Sequence, residues 1–362
     1  MDSKDDKQPY TDSYSFTIAQ KLPWQSMVEA SYVGNQSKDL ANDSGYGSNI
    51  NLVPVGAILS DPDPYNANPD KYRPLNTVDS SGNVLGYGDL NLATHKLYAN
   101  YNSLQVTWGR HAGRYTLQAN YSLQKALGII SPDLNPLNLH TNYGVQPTDR
   151  RHLFNVAYSI ELGSPVHDSR FLGGLVNGWQ ISGITQVQSG ANLTYSGGYN
   201  ASTNFNMQID SSVTRSDGSG ISVNSQSILG TNAIQLNPLL TCNPASGLAN
   251  HQFINRNCFA VPTVVGQNGP TVLPAVYGPH YFNSDLGLFK NFQIKETLRL
   301  QFRAQAYNFL NHPLWSFPDT SNLTLSFRQD SNGVVSQVNN NFGTATVKNG
   351  NRVIEFAVKF FF

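Results

Sequence analysis

The strongest constraint on this chain is a two-residue alternation that recurs along most of its length. Tyr115, Leu117, Ala119, Tyr121 and Leu123 share one parity, and Thr116, Gln118, Asn120 and Ser122 share the other. Side chains that switch faces at every residue belong to a β-strand, here with one apolar and one polar face. Phe154, Val156, Tyr158 and Ile160 alternate in the same way with Asn155, Ala157, Ser159 and Glu161. Leu298, Leu300, Phe302, Ala304 and Ala306 alternate with Arg299, Gln301, Arg303 and Gln305. The last segment sets Ile354, Phe356, Val358, Phe360 and Phe362 against Val353, Glu355, Ala357, Lys359 and Phe361. Weaker stretches of the same kind lie at 14–22, 27–33, 104–108, 179–187 and 286–292. Helical periodicity is nearly absent. The reading is about nine strands of roughly 9–12 residues, the length that crosses a bilayer at a tilt, whereas soluble strands average about 5–6.

The connections alternate as well. Residues 22–26, 110–114 and 293–297 are short links, and 163–178 is a modest one. Residues 35–97, 125–150, 190–283 and 311–351 are long. Short turns on one side and long loops on the other mark an outer-membrane barrel; loops of that length count against a compact soluble domain such as a β-sandwich binding module. Composition agrees. Charged residues are 13% of the chain, with 23 basic and 23 acidic, against about 25% in soluble domains. A face that meets lipid needs no charged coat. No apolar run is long enough for a membrane-spanning helix. Neutral charge without basic clusters argues against nucleic acid.

The tryptophans test the membrane reading. Trp24, Trp108 and Trp179 fall at strand ends beside the short links, and Trp315 falls just past an end beside a long one. Interfacial aromatics sit at such places, with a flat body in lipid and an N–H near water. Four ordinary core tryptophans are the alternative. Cys242 and Cys258 lie in one loop-like stretch containing Pro244 and Gly247. They read as a disulfide formed in an oxidising compartment, or else as two unrelated thiols.

Motifs of catalysis are missing: HExxH, CxxC, GxSxG and Walker patterns do not occur. No enzyme activity and no cofactor are expected. The eight histidines are scattered without ligand spacing. Residues 61–70 (DPDPYNANPD) carry Asp61, Asp63 and Asp70 but lack the glycine of a calcium loop and are broken by prolines, so they read as a solvated external loop. Arg299 and Arg303 fall on the polar parity, facing a lumen. They are expected to pair with carboxylates more often than to touch a substrate. Residues 200–224 are polar, low in complexity and expected to be mobile.

Several blocks resemble the barrel of Oar-like TonB-dependent receptors, common in Acidobacteria. They are KQPYTDSYSFTIAQKLPWQSMVEASYVGNQ (7–36), YNSLQVTWGR (101–110), PTDRRHLFNVAYSIELG (147–163), GLVNGWQISGITQVQSG (174–190), FNSDLGLFKNFQIKETLRLQFRAQAYNFLNHP (282–313) and FGTATVKNGNRVIEFAVKFFF (342–362). The blocks keep the family order across the chain, and those at 282–313 and 342–362 are the most specific. The resemblance implies a 22-stranded transmembrane β-barrel with an N-terminal plug, a TonB-contacting segment, and energised uptake of a bulky ligand. Ligand identity is not readable from these residues. The chain is expected to be the all-β, antiparallel C-terminal part of that barrel, an open half-shell of about nine strands, with residues 1–362 forming one barrel domain. The plug, the N-terminal domains and the TonB contact would lie elsewhere.

The first residues lack the apolar core of a signal peptide, and single-chain bacterial barrels have an even strand count. Both lead to the expectation that Met1 is not the true start and that the chain is a fragment. The terminal pattern Ile354, Phe356, Val358, Phe360 and Phe362 resembles the signal by which outer-membrane barrels are captured by the assembly machinery, through edge pairing of the strand. The expected location is the outer membrane, and the expected partners are its lipid and an unidentified ligand. The competing reading is a structural or adhesive outer-membrane barrel with ligand-binding external loops; a loop-borne enzyme is a third and weaker one.

The face assignment can be checked. In the full-length protein in lipid vesicles, Phe302→Arg should cost about 2–4 kcal/mol in a urea titration, and a change at Gln301 should cost little. Equal costs would reverse the assignment.

Overall fold

A computed structural model describes residues 4–42, 45–193, 205–294 and 298–362. Nine long strands dominate it: β1 (Tyr10–Leu22), β2 (Ser26–Asn42), β3 (Thr94–Ala112), β4 (Tyr115–Ile129), β5 (His152–Gly163), β6 (Trp179–Gln188), β7 (Tyr281–Gln293), β8 (Arg299–Tyr307) and β9 (Val353–Phe361). Each pairs antiparallel with its neighbours in sequence, so the sheet is a meander in the order β1 to β9. The short strand Tyr143–Val145 adds to β4.

Antiparallel neighbours need only short turns between them, and a meander places successive connections on opposite rims. The links β1–β2, β3–β4, β5–β6 and β7–β8 share one rim. The four long connections share the other. Residues 295–297, within the expected short link 293–297, lie outside the described residues. The β1–β2 turn carries Trp24 at φ 65° and Gln25 at φ 51°, two successive left-handed residues whose twist matches that of the flanking strands.

Strands β2 and β3 outrun their alternating segments. Residues 34–39 read Gly-Asn-Gln-Ser-Lys-Asp, too polar to alternate, yet β2 stays paired with β3 through Ser37↔Ala99 and, past a bulge, to Asn42↔Thr94. Backbone hydrogen bonds continue where side-chain patterning stops, because pairing needs only aligned N–H and C=O groups.

Register carries one face assignment across the whole sheet. Phe16 opposes Tyr32, Tyr32 opposes Leu104, and Leu104 opposes Leu123. Farther along, Tyr158 opposes Gly183, Gly183 opposes Leu286, Leu286 opposes Ala306, and Ala306 opposes Ile354. Directly opposed residues project to the same side, so a single apolar face runs from β1 to β9. Two aromatic rings on this face cover glycines. A Cβ at Gly34 would lie 2.3 Å from the Tyr14 ring, and one at Gly183 would lie 2.5 Å from the Tyr158 hydroxyl and 2.8 Å from the Asp285 carbonyl.

The sheet is open. Among the described residues strand β1 pairs only with β2, and β9 only with β8. All of β1 is exposed. Two edges of unpaired N–H and C=O groups cannot rest in hydrocarbon, where each unsatisfied group costs several kcal/mol.

The isolated chain of residues 1–362 should therefore fail to insert and should show no heat-modifiable gel mobility in detergent. Such mobility, together with pore conductance in planar bilayers, would mean that the two edges can meet.

Candidate functional site

The apolar face ends in belts. At the short-turn rim Trp24 stacks on Trp108 at 6.4 Å and lies 5.9 Å from the Tyr115 ring. The Arg110 guanidinium sits 4.3 Å over Trp24 and donates to the carbonyls of Trp24, Ala112 and Tyr115. Trp179 donates from its indole to the Leu175 carbonyl. Lys290 occupies the apolar parity opposite Trp179 and Phe302. It is buried, 5.4 Å over the Trp179 ring and 5.0 Å over Phe292, and donates to the Asn177 carbonyl. Toward the other rim Tyr14 and Tyr32 both donate to Asn102, and Tyr121 bonds His152. Alternation could not find these cations, because on it alone Lys290 is an error in an apolar row. The available signal was a cation two residues from an aromatic at a strand end, as in Trp108–Arg110 and Lys290–Phe292.

Trp315 requires a correction. It lies in the short strand Leu314–Ser316, paired with Val347–Asn349 beyond the ends of β8 and β9, where it packs against the core of the long connections 3.9 Å from the His251 ring. Eight residues of chain after β8 carry it off the sheet.

The polar face is lined by amides and hydroxyls. Thr107 donates to Asn120, Gln180 and Ser182 donate to Ser159, and Gln301 donates to Asn291. A hollow of about 440 Å³ is bounded by Gln118, Ser159, Asp285 and Gln305 together with the apolar Ile184, Phe289 and Tyr307. Small side chains at Ala157 and Gly287 leave it room. Asp285 accepts from the Asn308 backbone and the Asn283 amide. Arg303 donates to Gln301 at 2.6 Å and sits 5.5 Å over the Phe289 ring. Arg299 sits 4.4 Å over the Phe361 ring. Among the described residues neither arginine meets a carboxylate of the wall, where aromatic rings occupy the neighbouring positions; the expected pairing also named carboxylates of a plug. Gln301 also departs from expectation. It is 7% exposed and bonded on both sides, so Gln301→Ala should cost about 1 kcal/mol rather than almost nothing.

The hydrophobic core lies outside the sheet. Phe205, Val213, Ile228, Ile254, Phe259, Phe317, Leu325 and Phe342 are among the buried residues of a cluster built from two long connections, 189–280 and 308–352. The Phe205, Phe259 and Phe342 rings meet at 5.7–5.8 Å. Strand Asn206–Ile209 pairs in parallel with Thr324–Gln329 and joins the two connections. The other two long connections dock onto them. Gly56 and Ile58 donate to Leu229 and Gly230, and Gln235 donates to Leu134. The result is a packed cap at the long-loop rim. The expected mobile stretch 200–224 needs correction in its described part. Residues 205–224 contribute Phe205, Val213 and Val223 to the core, and Asn224 caps helix Ser225–Leu229. Single apolar residues spaced irregularly through a polar sequence leave no period to read. Residues 200–204 lie outside the described residues.

Within the cap, Cys242 and Cys258 form a disulfide, and Cys258 is a core residue. Asp61 accepts from the Asp63 N–H and the Tyr72 hydroxyl, which hold its carboxyl below the usual range. Asp70 pairs with Arg73. The acids of residues 61–70 are thus bonded within their own loop. Among the described residues no three His, Cys, Asp or Glu are grouped to hold a metal.

A membrane-length antiparallel meander with one apolar face, aromatic belts and long loops on one rim defines a membrane-spanning β-sheet. The chain belongs to the outer membrane beta barrel domain family, whose sequence model matches residues 1–355, and its location is the outer membrane. The apolar face is therefore the lipid face and the polar face the inner one. Two solved structures from Escherichia coli are similar over 98% of this chain. One is the ferric-catecholate import receptor Fiu in its closed form, with 7% identity and a TM-score of 0.40. The other is the outer membrane transporter YddB, with 11% identity and a TM-score of 0.40. The chain spans 28% and 33% of those chains. No curated protein matches it.

Reduction tests the cap. The bond closes a loop with a sequence separation of 16, so its loss should destabilise the cap by about 3 kcal/mol in the chain-entropy model. Thiol labelling of the folded, unreduced protein should find no thiol, and reduction should speed proteolysis within 189–280. Stoichiometric labelling before reduction would mean that the two cysteines are not cross-linked in the folded protein.

Proposed function

We propose that this chain is a wall sector, with its external cap, of an Oar-like TonB-dependent receptor that takes up a bulky ligand. The observation that carries the reading is the open sheet. Its polar face must line an aqueous interior, and its two unpaired edges require further strands to close a barrel in lipid. The sequence blocks that resemble Oar-like receptors, and the order in which they occur, support the Oar-like assignment. Further strands, a plug and a TonB-contacting segment would come from residues outside 1–362. Phe356, Val358 and Phe360 project from the free edge strand β9, where the barrel-assembly machinery would pair with it. Arg299 and Arg303 would face the plug or the ligand with their donors only partly engaged. The reading assigns the chain no chemical reaction.

The cap favours one competing reading. A packed, disulfide-closed unit at the external rim is also what an adhesive protein would present. The two readings differ in energy dependence. Cells carrying the full-length protein should accumulate at least one labelled solute from a panel of ferric chelates, cobalamins and oligosaccharides, and a protonophore should abolish accumulation. Surface binding without accumulation, insensitive to the protonophore, would overturn transport in favour of adhesion.

A further inference from the structure

The link between β5 and β6 is the longest on the short-turn rim, and it is not a plain turn. Helix α1 (Arg170–Val176) lies within it. Ser169 caps the helix by accepting from the Leu172 N–H. Asn177 closes the loop by bonding both the N–H and the carbonyl of Val166 through its side-chain amide. Internal bonds of this kind hold one conformation without help from a core.

The side chains it presents are apolar. Phe171, Leu172, Leu175 and Val176 are 77%, 52%, 55% and 43% exposed. At about 100° per residue these positions fall within one arc of roughly 140°. A helix that turns four apolar side chains to water on a rigid loop has no folded-state reason to do so.

Its position says what covers them. The Leu175 carbonyl accepts from Trp179, and the Asn177 carbonyl accepts from Lys290. Both donors belong to the lipid face, at the belt that also holds Trp24, Trp108 and Arg110. The helix is thus attached to the membrane side of the rim, level with the interfacial aromatics and continuous with a surface that already meets lipid.

We propose that α1 is an interfacial anchor that lays Phe171, Leu172, Leu175 and Val176 into the headgroup–acyl boundary of the leaflet on the short-turn side. Amphipathic helices bind there by burying one apolar face to a depth of about 5–10 Å, and length is not what selects them. Lys290 complements the anchor: its ammonium reaches out of the lipid face to the Asn177 carbonyl, beside Trp179. The occupant is phospholipid rather than a protein of the periplasm, because the apolar arc continues the lipid face.

Depth-dependent quenching tests this. Phe171→Cys in the full-length protein, labelled with NBD without reducing the Cys242–Cys258 bond, would be reconstituted in phosphatidylethanolamine–phosphatidylglycerol vesicles. Heat-modifiable mobility would confirm folding, and Leu175→Cys would serve as a second, independent site. The expected result is blue-shifted emission, quenched more by chains brominated near the glycerol than by deep bromines, and little affected by aqueous iodide. Water-like emission quenched by iodide would overturn the proposal. Shielding from both quenchers would also overturn it, and would mean that a protein covers the helix.

Discussion

In hydrocarbon a peptide N–H or C=O has no water to fall back on, and this requirement governs most of the structure. It explains why strands of 9 to 19 residues run as an unbroken antiparallel meander, and why few breaks in register occur. It also singles out β1 and β9 as the strands left with an unpaired edge. Every interior strand pairs with a neighbour on both sides over most of its length, whereas each terminal strand pairs on one side only. Among the described residues the sheet is continuous in its pairing and open at both edges.

The same solvent argument inverts the usual place of the core. Apolar side chains of the sheet need no burial in protein, because lipid already removes them from water, so Phe16, Phe356 and Phe360 remain exposed. The long connections stand in water and must hide their apolar residues from it. They do so together: chain from four connections meets in one cap, held by backbone bonds across Gly56, Leu229 and Gly230 and by a parallel strand pair. A Cβ at Gly230 would lie 2.4 Å from Gly56, so this junction tolerates no side chain.

At the short-turn rim, beside Trp24 and Trp179, cations are satisfied by rings and carbonyls instead of carboxylates. Arg110 under Trp24 and Lys290 under Trp179 follow one rule: the charge stays at the rim while the stem lies along apolar surface. Arg299 over Phe361 and Arg303 over Phe289 repeat the ring contact on the inner face.

The sequence by itself determined the strands, their faces and the sidedness of the loops. Each of those rests on a local period of two and on spacing, as Tyr115 to Leu123 and Ile354 to Phe362 illustrate. It pointed to Trp24, Trp108 and Trp179 as strand-end residues for the same reason. Only the tertiary structure decided the cap, the place of Trp315, the burial of Gln301 and the partners of Lys290 and the two inner arginines. Those depend on contacts between residues far apart in the chain, such as Phe205 with Phe342 or Lys290 with Asn177. No periodicity records a contact between distant segments, because it is set by how the sheet brings its loops and rims together.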